Sequence, residues 1–367
     1  MVLIYLFIIA YICFFATIIF GYSLLLKRKP SNCSIESATI SILVSVRNES
    51  HRIRPLLKSF DNSNADFNNI ELIFINDHSS DNTLDVLNYW ASNQPLKTNI
   101  VTLKNHLKGK KNAIEQGVLL SKSDYILCLD ADVSFNSNFL NIISSSIYGS
   151  KDFYFIPVIE YSNGNVFSII ESFMLSLVTL GSANLNFPLL SNGAAMLFKK
   201  SSFDELNPFQ NNQHISSGDD LFLLQSFKSN NKSFGKISPN EAFVHTESPK
   251  FYRNYISRAL RWSGKMKSSS LSITKLVGLL VILSNCFIMG LIIMCLFRPS
   301  LILIVLILGK FLIDFIGLFV AVKVHGNFRL LIYSPLMLLF YPFHLLILLM
   351  LSFFNIQISW KGRTVEK

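Results

Sequence analysis

Residues 125–136 read YILCLDADVSFN, in which a mostly apolar run leads directly into two carboxylates, Asp130 and Asp132. There are two explanations for a strand that ends in like charges. Either the strand ends at a site for a metal ion and a phosphate, or it simply exits into a polar turn. The surrounding sequence has to decide between these two interpretations, because ligand sites in open sheets are built from several neighbouring strand ends.

The residues around this stretch alternate between apolar runs and helical patterns. Strands are predicted at 39–46, 70–75, 99–103 and 125–129, and helices at 53–60, 83–90, 111–120 and 138–147. This alternation is typical of an α/β fold with a mostly parallel sheet, which binds ligands beyond the carboxyl ends of its strands. Polar clusters at 47–50, 76–83 and 130–134 follow three of the strands, so we expect the site there. Neither GxGxxG nor the P-loop pattern occurs, which excludes the common dinucleotide and P-loop sites.

The chain is too apolar for an ordinary soluble domain, with half of its 367 residues hydrophobic and a mean hydropathy of +0.41. A membrane-spanning helix needs about 20 apolar residues, and four segments qualify: 2–26, 276–297, 300–322 and 330–354. They divide the chain into an N-terminal anchor (1–29), a domain (31–270), a C-terminal membrane region (271–357) and a basic tail (358–367).

The basic residues 27–29 follow the first apolar segment, and no basic residue precedes it. By the positive-inside rule the domain at 31–270 is then cytosolic, and the chain is an integral protein of the cell or inner membrane. A cleaved signal peptide is the alternative, but the apolar run is too long for one and lacks a small-residue cleavage site. The net charge of +10 fits contact with an anionic bilayer leaflet. No aromatic–basic motif supports nucleic acid as a partner.

Three smaller features bear on the architecture. The last apolar segment contains Pro335 and Pro342, so it is either a third C-terminal span or a kinked or re-entrant element, and the side of the tail stays open. Residues 165–180 are apolar but short and carry Glu171, which favours a helix that packs inside the protein or lies on the membrane surface. The five cysteines form no CxxC pair, which argues against a zinc or disulfide framework.

Candidate site residues lie at each predicted strand end. Asp130 and Asp132 can offer oxygen ligands to Mg2+ or Mn2+. Asp77 can accept a hydrogen bond from a base or a ribose, although a turn that starts the next helix, with Asp81 as its cap, would explain the same residues. Three residues after the first strand are expected to wall the same crevice: Arg47, Asn48 and Glu49.

Three further motifs lie later in the chain. Lys110 opens a predicted helix in GKKNAIEQG (109–117) and suits a nucleotide or phosphate, or is a basic residue on the surface. Asp219 and Asp220 in SGDDLFLLQ (217–225) are either favourable charges at a helix start or include a general base. In RALRWSGK (258–265), Arg258 and Arg261 share a helix face beside Trp262, which suits a diphosphate clamp or a basic helix next to the membrane.

The order of these motifs resembles the D, D, D, (Q/R)xxRW signature of membrane-bound family 2 glycosyltransferases with the GT-A fold. ILVSVRNE and GKKNAIEQG are also similar to that family's first strand and to its helix before the DxD motif, and the likeness covers roughly residues 38–265. The resemblance implies an inverting transfer from a nucleotide-diphosphate sugar. It implies these roles: Asp77 contacts uracil or ribose, Asp130 the nucleotide or diphosphate, Asp132 the metal; Asp220 is the base; Arg261 and Trp262 hold the leaving diphosphate and the acceptor.

Two departures from the family pattern affect the acceptor. The acidic motif is Gly-Asp-Asp where Thr-Glu-Asp is usual, although the second acid is kept. Arg258 stands where many synthases have Gln, and ceramide glucosyltransferase-like enzymes accept Arg there, which favours a lipid acceptor. The leading hypothesis is therefore transfer from a UDP-sugar to a hydroxyl of a lipid or lipid-linked acceptor. The alternatives are a processive synthase of an extracellular β-linked polysaccharide and a non-catalytic membrane scaffold.

Overall fold

The computed structural model describes residues 2–27, 38–147, 151–160, 164–213, 215, 217–267, 272–352, 358–360 and 363–365. The chain divides into two compact units. The sheet unit comprises Arg28–Tyr161, Leu190–Glu247 and Gln357–Lys367, and the helical unit comprises Met1–Lys27, Ser162–Leu189 and Ser248–Ile356. Each unit is described by itself.

Twelve strands are present among the described residues: β1 Ile40–Val46, β2 Ile70–Asn76, β3 Lys97–Thr102, β4 Tyr125–Asp130, β5 Val133–Phe135, β6 Phe153–Phe155, β7 Val158–Glu160, β8 Ala195–Lys199, β9 Phe234–Lys236, β10 Val244–Thr246, β11 Ile358–Trp360 and β12 Arg363–Val365. The α-helices are α1 Val2–Leu26, α2 Arg54–Asp61, α3 Thr83–Ala91, α4 Lys110–Leu120, α5 Phe139–Ser146, α6 Val166–Asn184, α7 Lys200–Leu206, α8 Asp219–Ser229, α9 Tyr252–Lys267, α10 Ser272–Phe297, α11 Leu301–Lys323 and α12 Ser334–Ser352. Short 3-10 helices cover Phe67–Asn69 and Phe328–Tyr333.

The core of the sheet unit is a seven-stranded sheet of order β3-β2-β1-β4-β8-β6-β9. The predicted parallel arrangement is confirmed for β1 to β4, whereas β8 runs antiparallel to both β4 and β6. Side chains on both faces of the central strands are buried: Ile42 and Leu127 are 0% exposed on one face, and Leu43 and Cys128 are 2% exposed on the other. Burial on both faces explains why these strands are almost continuously apolar in sequence.

The strand register brings the polar clusters to one edge of the sheet. Val46, the last residue of β1, lies opposite Asn76 at the end of β2, and Ser45 lies opposite Asp130 at the end of β4. A second, three-stranded sheet has the order β5-β10-β7. Its antiparallel pair places Thr246 of β10 opposite Val133 of β5, so the residues that follow β10 lie near the residues that follow β4.

Among its described residues, the helical unit contains five helices that are long and apolar enough to cross a membrane. Four cover the predicted spans, the last as a 3-10 helix followed by α12, which has Pro342 inside it. The fifth is α6, which the sequence predicted only as a packing or surface helix. It differs from the others because 67% of its apolar window is buried inside the protein, against 17–33% for the other four.

α6 is buried because it packs closely on α1. A Cβ atom at Gly21 would lie 2.5 Å from the carbonyl oxygen of Gly181, and one at Gly181 would lie 2.4 Å from that of Ile18. Asn184 Nδ2 also donates to the Gly21 carbonyl oxygen at 2.8 Å. Small residues that let two backbones approach are typical of helix packing in membranes.

Candidate active site

Lys110, the first residue of α4, is the centre of the site in the sheet unit. Its ammonium lies 2.8 Å from Asp130 Oδ1 and 2.8 Å from Asp219 Oδ2, and it donates to the Gly193 carbonyl oxygen at 2.7 Å. An ammonium has three N–H donors, and these three contacts use all of them. Lys110 was predicted to bind a nucleotide or phosphate. In this structure it joins the end of β4 to the start of α8, and its contact with a nucleotide or phosphate stays a prediction.

The charge state of this cluster follows from its composition. Burial alone would lower the pKa of Lys110, but the neighbouring carboxylates of Asp130 and Asp219 outweigh burial and raise it well above its usual value. Lys110 therefore stays charged across the physiological range. Asp219 shares this ammonium with Asp130, whereas the next residue, Asp220, is 5% exposed with Oδ1 accepting from the Leu221 amide at 2.8 Å. The two adjacent acids thus occupy different surroundings.

Gly193 completes the cluster by leaving room for it. A Cβ atom at this position would lie 3.2 Å from Asp219 Oδ2, 3.3 Å from Lys110 Nζ and 3.6 Å from Asp220 Cβ. Any larger residue would push on both partners of the ion pair. Sequence reasoning did not select Gly193, because its role depends on its contact with Lys110, which lies 83 residues away in the chain.

Asp77 follows β2 and is 4% exposed. Its Oδ2 accepts a hydrogen bond from the Gly109 amide at 3.0 Å, which ties the end of β2 to the start of α4. Arg47 donates from Nη1 to the carbonyl oxygens of Asp77 and His78, at 2.7 and 3.1 Å. These contacts hold the first two strand ends together, and the proposed contact of Asp77 with a base or ribose stays a prediction.

The loop between β2 and α3 is fixed by the residues after β1. Asn48 Oδ1 accepts from the Ser80 amide at 2.8 Å, and the Glu49 amide donates to Thr83 Oγ1 at 2.8 Å. The N-cap of α3 is Asn82 and not Asp81 as predicted, although Asp81 Oδ1 accepts from the Thr83 amide at 3.1 Å. Burial would raise the pKa of Asp81, but hydrogen bonds from Thr83 and Ser50 lower it to about 2.

Asp132 lies beside a residue that the sequence did not single out. Arg52 contacts Asp132 through Nη2, donates from Nε to Glu247 Oε2 at 2.9 Å and lies 3.7 Å from Glu49 Oε2. The carboxylates come from three chain segments, after β1, β4 and β10. No local pattern marks Arg52 or Glu247 as site residues, since they meet Asp132 only through the tertiary fold.

The residues around Asp132 can be tested for their fit to a divalent cation. Among the described residues, no three His, Cys, Asp or Glu side chains lie close enough to hold a metal ion by themselves. Asp132 is nevertheless a hard oxygen ligand, and its side chain is 18% exposed. Mg2+ is commonly held by one or two carboxylates, with phosphates and water as the other ligands. The residues present fit a cation that arrives with a diphosphate.

Lys111, next to Lys110, contacts the chain segment that precedes α8. Its ammonium donates to the carbonyl oxygens of Asn212 and Ile215, at 2.7 and 3.0 Å, and lies 4.3 Å from the centroid of the Phe222 ring. Burial lowers the pKa of Lys111 to about 8, although the carboxylates of Asp219, Glu115 and Asp220 oppose that shift. Lys111 therefore anchors the chain that leads into α8.

The remaining predicted residues lie on α9, in the helical unit. Arg258 Nη2 donates to Ser168 Oγ at 2.6 Å, and its guanidinium carbon is 4.7 Å from the Trp262 ring centroid. Arg258 and Trp262 thus share a helix face and stack on each other. The roles of Arg258, Arg261 and Trp262 at a diphosphate or acceptor stay predictions.

Part of the sheet unit is similar to known proteins. Residues 41–205 match the family model described as glycosyl transferase family 2. Poly-β-1,6-N-acetyl-D-glucosamine synthase of Staphylococcus epidermidis is 30% identical over 151 residues, 39% of this chain and 34% of the relative. The Staphylococcus aureus synthase is 34% identical over 125 residues, 34% of this chain and 29% of the relative. The chain thus spans about a third of the length of the curated relatives it matches.

The fold has a solved counterpart. The mannosyltransferase PcManGT from Pyrobaculum calidifontis, in complex with GDP-Man and Mn2+, matches with a TM-score of 0.55 and 12% identity over 96% of this chain and 99% of that one. Similarity at this identity establishes the fold alone. Together with the mostly parallel seven-stranded sheet, it shows that this chain has the GT-A fold, and residues 41–205 within it match the glycosyl transferase family 2 model.

Proposed function

We propose that the protein is an inverting glycosyltransferase that moves a sugar from a nucleotide-diphosphate sugar to a hydroxyl group of an acceptor at the membrane. One observation carries the proposal. Asp130 at the end of β4 and Asp219 at the start of α8, next to Asp220, are joined through Lys110 in a single cluster. Donor-binding and base functions must be adjacent for a direct displacement at the anomeric carbon.

Asp220 is the proposed general base. It would take the proton of the acceptor hydroxyl as that oxygen attacks the anomeric carbon from the face opposite the departing diphosphate. Asp219 cannot share this role equally, because its carboxylate is committed to Lys110. A single base is enough for inversion, since no covalent sugar–enzyme intermediate forms.

Asp77 and Asp130 are proposed to contact the nucleotide portion of a UDP-sugar, in the crevice walled by Arg47, Asn48 and Glu49. Asp132 would hold Mg2+ or Mn2+, which supplies positive charge to the leaving diphosphate when bound. Lys110 would keep the two acidic groups at fixed distances. Arg261 and Trp262 are proposed to contact the diphosphate and the acceptor, with Arg258 beside them.

Membrane attachment supports an acceptor that is itself in the bilayer. The basic residues after α1 favour an integral protein of the cell or inner membrane whose catalytic unit lies in the cytosol. Nucleotide sugars occur in that compartment. A lipid or lipid-linked hydroxyl is the acceptor we favour. A processive polysaccharide synthase is the second candidate, because the matched staphylococcal relatives are named as synthases of a β-1,6-linked polymer.

Membranes that contain the full-length protein, incubated with labelled nucleotide sugars, test the proposal and separate the candidates. UDP-N-acetylglucosamine, UDP-glucose and GDP-mannose would be compared, and products would be separated into lipid-extractable and polymeric fractions. Label in the lipid fraction supports the lipid acceptor, and a long polymer supports the synthase. No transfer from any donor, with the protein folded and inserted, would contradict the proposed activity.

A further inference from the structure

Arg52 is the residue at this site that the proposed mechanism does not use. It contacts Asp132 through Nη2 and Glu247 through Nε, and Nη1 lies 3.7 Å from Glu49. A guanidinium has five N–H donors in a planar fork, so one side chain can serve all three carboxylates. Arg52 thus occupies the carboxylate that would hold the metal ion.

Arg52 alone does not balance the charge of this group. Three carboxylates contact its one guanidinium, and a divalent cation would supply further positive charge. A metal ion must bind a carboxylate oxygen directly, and a guanidinium on the same oxygen repels it. Arg52 and a divalent cation are therefore expected to compete for Asp132.

Exposure indicates which partner moves. The Arg52 side chain is 41% exposed, whereas the side chains of Asp132 and Glu49 are 18% and 2% exposed. Exposed ion pairs contribute little to stability, so the contact can be given up easily. Lys110 at Asp130 differs, because it is only 17% exposed and all of its donors are used. Asp130 of the DxD motif is therefore paired with a fixed cation, Lys110, and Asp132 with a displaceable one, Arg52.

We propose that Arg52 is an internal counter-cation that holds Asp132 in the free protein and is displaced from it when donor and divalent cation bind together. This inference rests on the proposed metal role of Asp132. It predicts that the free protein binds metal weakly and that the nucleotide diphosphate raises metal affinity by supplying further oxygen ligands. Arg52 then sets the strength of that coupling.

The test is Mn2+ binding to the full-length protein in detergent, followed by the electron paramagnetic resonance signal of free Mn2+, with and without UDP. Removing a unit charge about 5 Å from a divalent ion changes its binding by about tenfold in a solvent-exposed site. Arg52→Gln should therefore tighten Mn2+ binding without UDP by about tenfold and reduce the enhancement caused by UDP by a similar factor. Arg54→Gln, the same charge change on an exposed residue two positions later, should leave both values unchanged.

Equal or weaker Mn2+ binding by Arg52→Gln without UDP would overturn the inference. Arg52→Met is a second variant with the same expected result, and thermal melting of each variant confirms that it is folded. Asp132→Asn separates this inference from the metal role itself. If Asp132→Asn abolishes the UDP-dependent binding but Arg52→Gln has no effect, only the role of Arg52 is wrong. If Asp132→Asn changes nothing in any variant, the proposed metal ligand is wrong as well.

Discussion

Lys110 in the sheet unit and Lys310 in the helical unit both place an ammonium against an aspartate, 2.8 Å from Asp130 and 2.5 Å from Asp314. Their surroundings differ. Lys310 is paired with one carboxylate, that of Asp314. Lys310 also donates to Asn285 Oδ1 at 3.0 Å, and the Tyr11 hydroxyl donates to Asp314 Oδ1 at 2.8 Å. Lys110 faces two carboxylates, and further acids lie next to it. A balanced pair among apolar helices holds helices together, whereas an excess of negative charge at a sheet edge is suited to a cation and a substrate.

The largest effect is expected from Asp220→Asn, because it removes the proposed base from the unbalanced cluster. Turnover should fall by about 10²–10⁴-fold, the usual contribution of a general base. UDP binding should stay within about twofold of the wild type, since the amide keeps the shape of the side chain. Initial rates and calorimetric UDP titration measure the two quantities, with the exposed Asp85→Asn as control. Retained turnover would show that Asp220 is not the base.

Lys110→Met and Lys310→Met are a matched pair that tests the comparison directly. Lys110→Met leaves Asp130 and Asp219 without their shared cation, and turnover per folded molecule should fall about 10²-fold, as expected when catalytic groups shift by about 1 Å. Lys310→Met should lower thermal stability and leave turnover per folded molecule unchanged. Equal turnover losses in both variants would contradict the distinction between the two clusters.

Asp132→Ala should weaken UDP binding in the presence of Mn2+ by at least about tenfold, since one charge–charge contact to the ion is lost. In EDTA the variant and the wild type should bind UDP equally. Fluorescence or calorimetric titration with and without Mn2+ gives both comparisons. Equal affinity of the variant and the wild type in Mn2+ would remove Asp132 from the metal site.

Gly193→Ala should have a smaller effect. Its methyl group would lie within 3.2–3.3 Å of Asp219 Oδ2 and Lys110 Nζ, so both must move by a few tenths of an ångström. We expect a roughly threefold loss of turnover, well below the about 10²-fold cost of a full 1 Å misplacement. Gly290→Ala, at a position with open space around the added methyl group, is the control. Wild-type rates in Gly193→Ala would mean that the cluster tolerates displacement.

The least effect on turnover is expected from Asp314→Leu, which tests the balanced cluster. Removing one partner of a buried ion pair costs about 3 kcal/mol of stability. Adding Lys310→Met should restore most of that loss, because no buried charge is then left unpaired. Melting temperatures of the two single variants and the double variant in detergent form the thermodynamic cycle. Additive losses would show that the two residues do not stabilise the unit as a pair.

Much of the sheet and part of the site could be predicted from the sequence. The strands β1 to β4 and the helices between them begin and end within two residues of their predicted positions, because runs buried on both faces have a strong local signature. The edge at which Asp77, Asp130 and Asp132 end their strands follows from the same pattern. The fifth apolar helix, α6, was expected as a packing or membrane-surface helix, because the segment is short and contains the charged residue Glu171.

By itself, the sequence determined which residue types stand at each strand end, since apolar periodicity and the positions of acids are local properties of the chain. Only the tertiary structure decided which charges meet. The contact of Arg52 with Asp132 joins residues 80 positions apart, and its contact with Glu247 joins residues 195 apart. The place of Lys110 at a helix start predicted a nucleotide or phosphate contact, and only the fold shows that three acceptors of the protein surround its ammonium. The strength of an ion pair depends on the distance between the charges and on their burial, and neither quantity can be predicted from a local sequence pattern.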